Sequence, residues 1–256
     1  MPTGPRPIGA FSWINVLTPD SDAARQFFTT VFGWEFMEIP GMGHIAKVDG
    51  HDIGGFWDTA HPNSPPGLPP GIGTMVRVDS AAAIADRAIA LGGRSTPARP
   101  IGPSGTMAEV WDPTGAQMDV WESGTSPGAT ADPMRHGVPS WIECMTTDVA
   151  PAAAFYAELF GWTPRTVPMP EMEYTIFSNQ EAMVAGMMAL PPEMAGVPPH
   201  WGTYITVDDV DVAVHEATIH GGSVTYPAMD VPGTGRMAGI VSPQGVMFSV
   251  ITYETA

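Results

Sequence analysis

The sequence predicts an α+β protein assembled from four copies of one β-α-β-β-β module. Three observations carry this expectation. The second half of the chain repeats the first, each half repeats one local pattern twice, and Pro- and Gly-rich spacers fall between the repeats.

The repeat is dense. Ser12-Trp13-Ile14 returns 128 residues later as Ser140-Trp141-Ile142, and at the same offset Thr18 meets Thr146, Asp20 meets Asp148 and Phe32-Gly33-Trp34 meets Phe160-Gly161-Trp162. Gly73-Thr74 then matches Gly202-Thr203, Gly92-Gly93 matches Gly221-Gly222, and Pro113 with Gly115 matches Pro243 with Gly245.

Within a module the order follows from local chemistry. Trp13 to Thr18 alternates and predicts a strand. Asp20 or Ser21 can cap the helix that follows, because a short side-chain oxygen accepts an orphan backbone N–H. Phe27, Phe28, Val31 and Phe32 share one face of that helix, and Gly33 suits the left-handed position that ends it. Thr74 to Val78 with Ser80 opens the second module, Trp141 with Asp148 the third, and Thr203 with Asp209 the fourth. Three short strands follow each helix. The modules span 8–60, 71–123, 138–190 and 200–254, giving domains over 8–123 and 138–254 joined by a linker at 124–137.

Composition narrows the partners. A hydrophobic fraction of 44% suffices for real cores. No apolar run is long enough to span a membrane, and the N-terminus lacks the apolar core of a secretory signal. A net charge of −17 repels phosphate backbones and anionic bilayers, so neither nucleic acid nor membrane is an expected partner. Cys144 is the single cysteine, which excludes an intramolecular disulfide and fits a cytoplasmic location. Its setting, Trp141-Ile142-Glu143-Cys144-Met145, predicts a buried thiol in a strand.

The paired β-α-β-β-β units, the Thr-x-Asp preceding helices that end Phe-Gly-Trp, and the turns Asp112-Pro113-Thr114-Gly115 and Ser242-Pro243-Gln244-Gly245 together resemble the vicinal oxygen chelate superfamily. That group includes glyoxalase I, bleomycin-resistance proteins and extradiol dioxygenases. The chain is most similar to a two-domain, glyoxalase-like actinobacterial branch, some members of which accompany aromatic polyketide pathways. The resemblance implies curved mixed sheets around clefts.

It also implies where a divalent metal would sit in the family's enzymes, on His, Gln or Glu side chains. Here those positions carry Trp13, Gly73, Asp119, Trp141, Gly202 and Ser249, with the remaining two near Gly55 and Gly186. One carboxylate cannot hold an ion that wants three or four ligands. The expectation is therefore no cofactor. A divalent metal held by other residues, with His200 and Asp119 the first candidates, is the alternative.

Alternate strand residues face opposite sides of a sheet. Val16, Val76, Val78, Met118, Val120, Ile205, Val207, Phe248 and Val250 are expected beneath the helices. The cleft is expected to receive Trp13, Asn15, Met75, Trp121, Trp141, Glu143, Tyr204 and Met247, bordered by Trp57, Met187, Trp201 and Arg236. Flat aromatics, adaptable thioethers and a few polar groups suit a small-molecule pocket, although the same residues also simply fill cores. Glu143 and Asp119 are the candidate acid/base groups. Glu143 either orients a ligand or pairs with Arg236.

Two functional readings stand, beside a third in which one half has a purely structural or interaction role and only the other keeps a pocket. The first is a metal-free protein binding a small hydrophobic or aromatic metabolite or antibiotic, for sequestration, resistance or assistance to a biosynthetic oxygenase. The second is an enzyme, either a glyoxalase-like lyase or isomerase or a cofactor-independent hydroxylase or cyclase. Monomer and homodimer are both open, as is whether modules pair within or across the halves.

Overall fold

A computed structural model describes residues 3–62, 64, 67–169 and 172–254. The first half runs β1 (Phe11–Thr18), α1 (Ser21–Phe32), β2 (Glu35–Ile39), β3 (Gly43–Val48), β4 (His51–Asp58), β5 (Gly71–Val78), α2 (Ala81–Ala90), β6 (Arg94–Ser95), β7 (Arg99–Pro100), β8 (Gly105–Trp111) and β9 (Gln117–Ser123). The second runs β10 (Pro139–Thr146), α3 (Val149–Phe160), β11 (Thr163–Pro168), β12 (Glu173–Asn179), β13 (Ala182–Ala189), β14 (His200–Thr206), α4 (Val210–Ile219), β15 (Ser223–Val231), β16 (Gly235–Val241) and β17 (Met247–Tyr253). In the second module one expected strand is broken into the two-residue β6 and β7. Both pair with β8 on either side of Pro97, which has no N–H to give the ladder.

Each half makes one curved mixed sheet. The first is ordered β2-β3-β4-β1-β5-β9-β8-β6, the second β11-β12-β13-β10-β14-β17-β16-β15. Modules therefore pair within a half, through the antiparallel contacts β1–β5 and β10–β14 at the sheet centres.

The sheets follow the halves, but the cores do not. One cluster joins Ile14, Val16, Phe28 and Phe56 to Ile205, Val207, Phe248 and Val250, and so packs α1 with α4. The other joins Val76, Val78, Met118 and Val120 to Ile142, Cys144, Phe155 and Tyr156, packing α2 with α3. Every residue expected beneath the helices lies in these clusters, and Cys144 is buried with them. The 124–137 segment is docked rather than loose. Ala129 and Thr130 donate backbone N–H groups to the carbonyls of Ser12 and Asp52, and Ala129 and Ala131 are buried.

Asp20, Ser80 and Asp209 cap their helices as expected, accepting from Ala23, Ala83 and Val212. Asp148 does not. It occupies the cap position with extended backbone, but its side chain makes no cap hydrogen bond. Gly33 and Gly161 end α1 and α3 at φ 69° and 70°, a left-handed turn that side chains with a Cβ disfavour.

Candidate functional site

The faces turned away from the helices carry the chemistry. In the second half, Trp141 and Glu143 project from β10 beside Gly202 and Tyr204 of β14 and Gly186 of β13. Residues one position along face the core instead, which is why Ile142 and Cys144 are wholly buried among the helices.

Glu143 is 6% exposed. Tyr174 from β12 donates its hydroxyl to Oε2 at 2.6 Å, and Tyr204 donates to Oε1 at 3.0 Å. Trp141 Nε1 donates to the Tyr174 hydroxyl at 3.2 Å, and Tyr226 of β15 contacts Ser249 Oγ at 2.9 Å. Burial pushes the Glu143 carboxyl above its ordinary pKa, while the two tyrosine hydroxyls and His200 pull it partly back. The same burial, reinforced by the Glu143 charge, raises the Tyr174 and Tyr204 hydroxyls, which keeps them protonated as donors.

Two glycines shape this site in opposite ways. A Cβ at Gly186 would lie 1.8 Å from the Tyr174 oxygen, so the missing side chain is the room in which Tyr174 reaches Glu143. A Cβ at Gly202, paired with Glu143 on the next strand, would meet nothing closer than 3.8 Å. The space beside Glu143 is filled on one flank and admits a small group on the other.

The first half substitutes different side chains at matching places. Asn15 replaces Glu143, and its Oδ1 accepts from Trp57 Nε1 at 2.8 Å and Trp13 Nε1 at 3.3 Å. Its Nδ2 reaches the Met75 sulfur at 3.3 Å, and Met75 packs with Met107 and Trp121. The amide is thus saturated by its own surroundings. Asp119 on β9 is 7% exposed and accepts from Gln117 Nε2 at 3.2 Å. Burial raises its pKa to about 7. Glu109 adds to the rise, while Gln117, Arg99 and Asn15 oppose it. Gly73 stands beside it, with 3.8 Å between its would-be Cβ and Asp119 Oδ2.

Three expected cleft residues lie elsewhere. Met187 and Trp201 register with Cys144 rather than Glu143, so strand alternation turns them into the core. Trp201 donates there to the Tyr156 hydroxyl at 2.8 Å. Arg236 registers with Thr252 and reaches the helix side, where it pairs with Asp211 of α4 and with Asp230. It does not meet Glu143. Met247 is on the cleft side but 54% exposed, at the sheet's outer end. Sequence reasoning missed Tyr174 and Tyr226. The available signal was that all five tyrosines fall in the second half.

Two surface depressions, of about 270 and 290 Å³, lie away from both concave faces. One runs between Ile84 and Phe160, the other between Glu35 and Asp208.

Comparison with known proteins places this architecture. Residues 139–250 match the Glyoxalase/Bleomycin resistance protein/Dioxygenase superfamily, and residues 11–50 match a family described as Bleomycin resistance protein-like N-terminal. A protein named "Putative glyoxylase CFP32" from Mycobacterium tuberculosis (strain CDC 1551 / Oshkosh) is 34% identical over 250 residues, 95% of this chain and 94% of its own length. The chain belongs to the glyoxalase/bleomycin resistance/dioxygenase superfamily. "Anthracycline biosynthesis protein DnrV" from Streptomyces peucetius is 35% identical over 127 residues, 44% of this chain and 46% of that protein. Among solved structures, the Mn(II)-bound glyoxalase from Novosphingobium aromaticivorans aligns over 97% of this chain and 85% of its own, at 17% identity and a TM-score of 0.65. That likeness is one of fold.

A metal of that kind does not fit the side chains present. The matching positions offer indoles, glycines, one serine and the single carboxylate of Asp119. No three His, Cys, Asp or Glu side chains converge among the described residues. No helix among the described residues is long and apolar enough to cross a membrane.

Proposed function

We propose that this chain binds one small, largely apolar aromatic molecule on the concave face of its second half. The observation that carries this is the Trp141–Tyr174–Glu143–Tyr204 cluster, a buried polar group among aromatic side chains with room for a small group at Gly202. Met145, Met188, Met229 and Met237 lie on the same face, and thioethers accommodate irregular apolar shapes. The relative named for anthracycline biosynthesis supports a planar fused-ring ligand. Sequestration, resistance or delivery to a biosynthetic oxygenase are the roles such binding serves.

Titration with hydroxylated naphthalenes and anthraquinones, followed by tryptophan fluorescence, tests this. Saturable quenching that is weakened by Trp141→Ala supports it. Absence of saturable binding across the panel removes it.

A second reading rests on Asp119. A carboxyl titrating near neutrality beside the gap at Gly73 suits a general base for proton abstraction next to a carbonyl, as a glyoxalase-like isomerase requires. The relative named as a glyoxylase points the same way. Solvent-deuterium exchange into enolisable carbonyl compounds, lost in Asp119→Asn, tests it.

A further inference from the structure

Glu143 is a carboxylate-bearing side chain buried with no cation bonded to it, although His200 on β14 acts on it through charge. Its hydrogen-bond partners are two neutral phenols, and among the described residues no lysine or arginine bonds it. The second half contains only two such cations, Arg165 and Arg236, against 13 Asp and Glu residues. Arg236 is held on the helix side by Asp211 and Asp230, and Arg165 is exposed on the edge strand β11. A charged carboxylate in such a place is costly unless a counter-charge arrives.

The two tyrosine bonds leave that need unmet. An ionised carboxylate has roughly four acceptor directions, and two donors occupy about half of them. The less crowded flank lies over Gly202, where the nearest side-chain atom among the described residues is Met145 Cε, 4.0 Å from a would-be Cβ. The surroundings suit an organic cation. Trp141, Tyr174, Tyr204 and Tyr226 bring π-rich rings to this region, and Met188, Met229 and Met237 bring polarisable sulfur. The first half differs at the position that matches Glu143. Asn15 is neutral and saturated by two indoles, and that half is less acidic, with 14 acidic against eight basic residues over 1–137.

We infer that the second-half site selects ligands carrying a protonated amine on an aromatic or apolar frame, the ammonium entering over Gly202 to pair with Glu143. The inference rests on the binding reading above and sharpens it to a chemical class.

Three probes of one shape test it by calorimetry at neutral pH: 1-naphthylmethylamine, 1-naphthalenemethanol and 1-naphthoate. The amine is expected to bind on the order of ten- to a hundred-fold tighter than the alcohol, with naphthoate weakest. Glu143→Gln, which keeps shape and acceptor, removes that preference while the alcohol still binds. Gly202→Val weakens amine and alcohol together by filling the entry. Glu181→Gln, which takes one charge from the exposed β12–β13 turn, leaves the preference intact. The preference also survives about 0.5 M NaCl, which screens a diffuse surface field but not a buried pair. If alcohol and amine bind equally, the amine inference falls and the binding reading stands. If the preference persists in Glu143→Gln, the cation sits elsewhere and the inference falls. If no probe binds, both fall.

Discussion

Trp162 of the second half donates its indole N–H to the Gly9 carbonyl of the first at 2.7 Å, and Trp34 of the first half donates to the Gly137 carbonyl, at the entry to the second, at the same distance. The Phe-Gly-Trp repeat thus ends each helix with a clasp on the segment leading into the other half's first strand. Both receiving glycines have φ near 80° (76° and 79°), and a Cβ would strike Asn179 at Gly9 and Phe32 at Gly137. Together with the shared cores, the clasps make the halves one unit.

Removing a clasp leaves a carbonyl buried without its donor. Trp162→Phe is expected to lower stability by about 2–4 kcal/mol, from the orphaned acceptor plus lost ring volume. Trp34→Phe should behave alike. Because α1 packs on α4 and α2 on α3, each variant should still unfold in one transition reported equally by fluorescence and circular dichroism. Two separated transitions would mean that the halves are stable alone.

Gly186→Ala tests the room under Tyr174. The new Cβ cannot coexist with a phenol oxygen 1.8 Å away, so Tyr174 must leave Glu143. A loss of about 1–3 kcal/mol in denaturant unfolding follows, with ligand affinity falling in parallel. Gly202→Ala, at an open position, should change stability far less. Equal effects at the two glycines would contradict the geometry.

Asp119 predicts a pH dependence. Its folded pKa, about 7, lies above the ordinary aspartate value of 3.8, so the folded state holds the proton more tightly than the unfolded chain. Stability therefore declines as pH rises between those values and is level above about 8. Asp119→Asn removes the penalty. It should match the parent near pH 4 and exceed it at pH 8, by up to roughly 4 kcal/mol if the whole shift is realised. Urea unfolding of both proteins at the two pH values checks the sign. A variant less stable at pH 8 than at pH 4, relative to the parent, would reverse it.

Much of this was legible in the sequence, because repetition and alternation are local signals. The Ser-Trp-Ile repeat, the helix stripes and the nine core residues follow from period and parity alone. Glu143 and Tyr204 face the cleft for the same reason. Met187 and Trp201 were misplaced against that same alternation: Trp201 stands three residues from Tyr204 on β14 and Met187 one from Gly186 on β13, odd spacings that turn both side chains to the core. Arg236 was misplaced because its partner, Asp211, lies on a helix packed from the far side. Tyr174 was invisible because its role needs a third strand, β12, and a glycine on a fourth, β13, to bring it to Glu143.

The two tyrosines can be separated by their second partners. Tyr174 donates to Glu143 and accepts from Trp141, so Tyr174→Phe leaves two polar groups short; Tyr204→Phe removes the longer, 3.0 Å bond to the carboxyl and a contact with the Tyr226 hydroxyl. Tyr174→Phe is expected to cost about 2–3 kcal/mol and Tyr204→Phe about 1 kcal/mol. Either loss should also raise the Glu143 pKa further, since both hydroxyls favour the charged form. A bond to a charged acceptor is worth more than one to a neutral amide. In the Glu143→Gln background the Tyr174→Phe penalty should therefore shrink, giving a coupling of about 1 kcal/mol at pH 8. The four proteins of that cycle, unfolded in urea at pH 8, measure it. Zero coupling would show that the side chain is already neutral there, so that pairing with an ammonium would release the Glu143 proton to solvent.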